Sequence, residues 1–125
     1  MTLLGQKLRE LRKKKKITMV AMAEALDVST AYMSALEYGK RGVPSVGLMH
    51  QIKAYFGLIW EDAEALDRLA FLSNTKVKVN TVGLSPKATE FANRLSQQIG
   101  ELDDSRLDAL LAELKDPQVF NAPQH

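Results

Sequence analysis

The sequence predicts an all-α fold: a basic domain of five helices, then a short β-strand and two further helices. Three observations lead there. Apolar residues recur at helical spacing in seven segments. Capping and stopping residues bracket those segments. One stretch alone alternates apolar and polar residues with period two.

Leu4, Leu8 and Leu11 fall at i, i+4 and i+7, which predicts a first helix near residues 2–15 with one apolar stripe. Thr18 is a ready N-cap for a second helix to about Leu26, with Met22, Ala23 and Leu26 inward. At Ala23 two helices crossing closely leave room for little beyond a methyl group. Asp27 and Val28 make the turn. Ser29 caps a third helix near residues 30–38, whose inward positions are Tyr32 or Met33 and Leu36. Gly39 stops it as a residue able to take positive φ. Pro44 and Ser45 open a fourth helix, about 45–56, with Val46, Leu48 or Met49, Ile52 and Phe56 inside, and Gly57 ends it. A fifth helix, about 60–72, packs Trp60, Ala63, Leu66, Leu69 and Ala70, and Glu61, Asp62 and Glu64 sit at its start, where acids are favoured.

The character changes at Ser73, which divides the chain into residues 1–72 and 73–125. Residues 75–82 read as a lone strand carrying Val77, Val79 and Val82, with no second segment to pair with. Ser85 and Pro86 start a helix with Ala88, Phe91, Ala92, Leu95 and Ile99 on one stripe, and Gly100 breaks it. Asp103 caps a last helix whose apolar side holds Leu107, Leu110, Leu111 and Leu114. Beyond Pro117 the chain is expected to fray.

Charge is divided unevenly. Residues 1–53 carry ten basic and four acidic side chains, a balance of +6, and residues 54–125 seven and eleven, a balance of −4. A basic half beside an acidic half points to a polyanion at one end only. The run Lys13, Lys14, Lys15, Lys16 reads by itself as cations complementing a helix end; beside the motif of the second and third helices it reads as phosphate contact. Without cysteines, disulfides and thiolate metal sites are excluded. No stretch approaches about 18 apolar residues and no signal peptide opens the chain, so no membrane partner and a cytoplasmic location are expected.

Enzymatic readings find little to stand on. His50 and His125 lie in no metal-ligand spacing, no glycine-rich phosphate loop exists, and Asp103 with Asp104 is explained by helix capping. Trp60 and the methionines lie mostly at core spacing and read as packing. No enzyme, metal or cofactor is expected.

Residues 4–58 resemble the lambda-repressor-like (Cro/cI, xenobiotic-response-element type) helix-turn-helix DNA-binding domain. The residues that carry the resemblance are Leu8-Arg9-Glu10-Leu11-Arg12, Ile17-Thr18, Met22-Ala23-Glu24-Ala25-Leu26, Val28-Ser29, Met33, Leu36-Glu37, Gly39-Lys40-Arg41 and Pro44. The resemblance implies that the third helix reads the major groove, with Ser29, Thr30, Ala31, Ser34 and Ala35 toward base edges. It implies phosphate contacts at Lys40 and Arg41, at the amides of residues 43–45 including Ser45, and at Met19, where similar proteins often place glutamine. Lys15 and Lys16 join that set from the lysine run. It also implies that Arg12 and Glu37 form an ion pair tying the first helix to the third. Two departures stand out: Met19 offers a phosphate no good hydrogen bond, and Ala31 and Ala35 make the readout face small and apolar.

The implied function is a sequence-specific transcriptional regulator on double-stranded DNA, most simply a repressor covering an operator. The alternative is a protein-interaction regulator, antitoxin or antirepressor-like, with a degenerate helix-turn-helix and an unknown protein effector. Palindromic half-sites call for a two-fold dimer. Val77 and Val79 pairing across subunits, or the faces of Phe91 and Leu95 and of Leu107, Leu111 and Leu114, are the candidate dimer contacts; both helices folding back on a monomer is the alternative.

Overall fold

The computed structural model describes residues 1–114, which form seven α-helices in two compact units, Met1–Lys76 and the residues from Val77 onward. The first unit holds α1 (Leu3–Lys14), α2 (Met19–Ala25), α3 (Thr30–Glu37), α4 (Val46–Tyr55) and α5 (Trp60–Phe71). The second holds α6 (Pro86–Gln98), a single 3₁₀ turn (Ile99–Glu101) and α7 (Asp104–Glu113).

Local chemistry sets the helix boundaries. Thr2, Thr18, Ser29 and Ser45 cap α1 to α4, each hydroxyl accepting from the backbone N–H three residues on. The same four helices also end alike. In each, a residue at positive φ (Lys16, Asp27, Gly39, Gly57) follows the C-cap. The next residue then donates its N–H five positions back: Ile17 to Arg12, Val28 to Ala23, Lys40 to Ala35 and Leu58 to Lys53, at 2.8–3.0 Å. At three of these closures that donor is apolar, and Ile17, Val28 and Leu58 pack against the core. At the end of α3 it is Lys40, and it is exposed.

The core lies where the five helices converge. Leu4 and Leu8 of α1, Met22 of α2, Met33 and Leu36 of α3, Ile52 of α4 and Leu66 of α5 are all buried there. Ser73, just past α5, belongs to this unit: its hydroxyl accepts from the Leu4 amide and donates to the Leu69 carbonyl, so one side chain joins the start of α1 to the end of α5.

Three expectations are corrected. Val46 is 77% exposed, because as the first residue of α4 it leaves the inward places to Leu48, Met49 and Ile52. Trp60 is 84% exposed, its positive φ carrying the indole away from the core. The strand over residues 75–82 does not form; there is no strand among the described residues. The side chains of Asn74 and Asn80 instead accept from the amides of Lys76 and Val82, closing local turns at both ends of the segment. Residues 81–84 then turn, with Gly83 at positive φ. A period-two pattern becomes a strand only when a neighbour takes its amides and carbonyls, and this segment's ends are closed on themselves.

In the second unit Ser85 and Asp103 cap α6 and α7, as their positions imply. Neither helix has a buried residue. Of the expected dimer contacts, Leu95 and Leu107 are half-buried, while Val77, Val79, Phe91, Leu111 and Leu114 are exposed. The expected frayed tail from residue 117, with His125, lies outside the described residues. No helix among the described residues is long and apolar enough to cross a membrane.

Candidate nucleic-acid interface

Helix α3 divides into two faces. Met33, Leu36 and Glu37 turn inward and are buried. Ala31, Ser34, Ala35 and Tyr38, at i, i+3, i+4 and i+7, form the outward stripe, exposed at Ala31 and Tyr38 and half-exposed between. Ser29 and Thr30 are exposed at the start of the helix. The Ser29 hydroxyl accepts from the Tyr32 amide, so its own proton is left to donate outward. Tyr32 is half-buried against the core and adds nothing to the stripe.

What holds this stripe in place is the far end of the helix. Glu37 is completely buried, and Arg12 meets its carboxylate through Nε at 3.2 Å and Nη2 at 3.0–3.1 Å. Arg9 adds a further contact, Nε to Oε1 at 3.6 Å. The amide of Thr2 donates to the Glu37 carbonyl. Gly5 lets α1 lie directly on that residue: a Cβ added at Gly5 would come within 2.8 Å of the Glu37 Cα and closer still to its carbonyl. Glu37 and Gly5 therefore fasten α3 directly to α1.

The loop after α3 carries the cations. Lys40 and Arg41 are exposed and form no ion pair among the described residues. Ser45 is exposed and caps α4. A side chain at Gly42 or Gly47 would meet nothing within 4 Å, so the backbone on either side of Ser45 is open to close approach. Such a place offers an anion amide donors at a helix start and two exposed positive charges.

The remaining candidates separate by geometry. Lys15 donates its Nζ to the Phe56 carbonyl at 3.1 Å, so it caps the end of α4. Lys16 is exposed at positive φ, in the first of the four helix closures. Lys13 lies with Gln6, Arg9 and Glu10 along the outer side of α1. Met19 is half-buried and packs on the core, which accounts for an apolar residue at that place.

One pair escaped the sequence reading. Arg9 Nη2 donates to the Tyr38 hydroxyl at 3.3 Å, and the guanidinium lies 5.9 Å from the ring centroid. That hydrogen bond, opposed by desolvation and helped by the Glu37 charge, raises Arg9 above its ordinary value. The two residues are 29 positions apart, so only the fold brings them together.

Comparison with known proteins agrees with this geometry. A family model described as a helix-turn-helix domain matches residues 3–70, the span of α1 to α5. A protein of Bacillus subtilis (strain 168), described as the uncharacterized HTH-type transcriptional regulator RghRB, is 36% identical over 61 residues. Those residues are 49% of this chain and 44% of that relative, so the chain matches less than half the relative's length. No solved structure matches the chain. With more than half of its residues inside the family match, and its helices folded in the order the lambda-repressor-like pattern requires, the chain belongs to the helix-turn-helix domain family.

Proposed function

We propose that the protein is a sequence-specific, DNA-binding transcriptional regulator, a cytoplasmic repressor that covers a palindromic operator as a homodimer. The observation that carries this reading is the placement of an outward stripe on α3 next to a basic loop that meets no acidic partner among the described residues. The HTH-type regulator among its relatives supports it.

In this reading the start of α3 enters the major groove. The Ser29, Thr30 and Ser34 hydroxyls bond base edges, and Ala31 and Ala35 pack on thymine methyl groups. Lys40, Arg41, Lys16 and the amides around Ser45 hold the flanking phosphates. With few bidentate readers on the stripe, affinity leans on phosphates and on the shape of the duplex. Two subunits, joined through the apolar faces of the second unit, place two such helices on successive half-sites.

The test is a fluorescence titration against a pool of random duplexes at several salt concentrations. The reading expects affinity to fall steeply with salt, with a log–log slope of about −0.9 per neutralised phosphate. Absence of salt-dependent duplex binding would overturn it in favour of a protein-interaction regulator, antitoxin or antirepressor-like, for which the small apolar stripe would be the docking face.

A further inference from the structure

We propose that Arg9 and Tyr38 together grip a phosphodiester of the bound duplex, carrying the DNA contact beyond α3 onto α1. The proposal rests on the DNA-binding reading above and adds a contact that neither the helix-turn-helix pattern nor the basic loop contains.

Charge is the first argument. The Glu37 carboxylate is met by two guanidiniums, Arg12 at 3.0 Å and Arg9 at 3.6 Å, which leaves one positive charge in surplus. That surplus sits outward, because the Arg9 side chain is 38% exposed against 12% for Arg12 and none for Glu37.

Donor chemistry is the second. Arg9 spends one N–H on the Tyr38 hydroxyl and turns Nε toward Glu37, and a guanidinium has five N–H donors and no acceptor. The Tyr38 oxygen accepts from Arg9, so its own proton is free to donate. The pair thus offers a guanidinium fork and a hydroxyl side by side, both donors, which suits an anion and does not suit a base edge that also presents donors. The cation–π contact with the ring, the hydrogen bond to its hydroxyl and the contact with Glu37 place the guanidinium before any ligand arrives.

Position is the third. Tyr38 closes the stripe that begins at Ala31, and seven residues of helix advance about 10 Å. The major groove is about 12 Å wide. A duplex seated with its bases at Ala31 therefore brings its groove wall, where the phosphates run, to the end of α3.

The experiment follows anisotropy of a labelled duplex, selected from a random pool for tight binding by the wild-type protein, over a range of salt. Arg9→Gln is expected to bind about tenfold more weakly, with a salt slope smaller in magnitude by about 0.9, one phosphate's worth. Tyr38→Phe keeps the ring and leaves Glu37 untouched; it is expected to melt as wild type, bind about threefold more weakly and keep the slope, since the lost donor is neutral. Methylphosphonate is then placed at single phosphates of the duplex. At one position wild type loses affinity and Arg9→Gln loses none, which a purely structural role for Arg9 does not produce. Wild-type affinity and slope in both variants overturn the proposal and leave the DNA-binding reading standing. So does an equal penalty for wild type and Arg9→Gln at every methylphosphonate position. A wild-type protein without salt-dependent duplex binding overturns the reading itself.

Discussion

Arg12 and Glu37 form a two-nitrogen bridge at 3.0–3.2 Å that pins the last residue of α3, whose side chain is completely buried, to α1. Removing one partner of such a pair strands a charge inside the protein. Arg12→Ala is expected to destabilise the fold by about 3 kcal/mol, with Arg9 left as the only counter-charge. Pairing it with Glu37→Leu should restore most of that loss. Urea denaturation of the two variants measures both values, and a double variant as unstable as the single one refutes the argument.

Gly5 is a second fastening of the same joint. Gly5→Ala places a methyl against the Glu37 backbone, which no side-chain rotation relieves. We expect a loss of about 3 kcal/mol. An alanine at Gly47, where a Cβ meets nothing, is the control and should raise stability slightly through helix propensity. Thermal melts of both proteins decide the matter.

The turn between α2 and α3 holds Asp27 at φ +56°. Aspartate tolerates that conformation better than most residues, and glycine better still. Asp27→Gly should gain about 0.5 kcal/mol, and Asp27→Val should lose more than 1 kcal/mol, roughly, since a β-branched side chain clashes there. A shift of the urea midpoint in the opposite order would contradict the turn geometry.

Lysines that look alike in sequence should behave differently. Lys40→Ala with Arg41→Ala is expected to weaken binding to every duplex about equally and to flatten the salt slope by about 1.8. Thr30→Ala or Ser34→Ala should relax preference at particular bases and leave the slope alone. Lys15→Met should cost about 1 kcal/mol of stability, for its bond to the Phe56 carbonyl, with little change in affinity. Titrations and melts of the same set separate the three kinds of effect.

The second unit tests the homodimer. Phe91 and Leu111 are exposed on helices that bury nothing of their own. Phe91→Glu with Leu111→Glu should turn a dimer into a monomer and reduce operator affinity while sparing the fold of the first unit. Sedimentation that finds the wild-type protein monomeric at concentrations on the order of tens of micromolar would rule the homodimer out.

Much of the fold is legible because it is written locally. Thr18, Ser29, Ser45, Ser85 and Asp103 cap their helices whatever surrounds them, and the leucine spacing of α1 names its own inward face. What is not local does not show. Gly5 gives no signal in the sequence, because the Glu37 backbone that lies against it is distant along the chain. Arg9 and Tyr38 need the packing of α1 on α3 to meet at all. Lys15 cannot be told from Lys13, Lys14 or Lys16 without knowing where α4 ends. The alternation at residues 75–82 has the period of a strand, but Asn74 before it and Asn80 within it take two of the amides that a neighbouring strand would need. Trp60 sits at core spacing, yet its backbone turns it out.

Four helices close by one device, and only the closure that ends in Lys40 has no apolar anchor. Wherever else that device appears, altering its final residue loosens the scaffold. The Lys40 side chain anchors nothing in the core, so under the DNA-binding reading proposed above a change there would retune grip on the duplex, in either direction, without renegotiating the architecture that presents it.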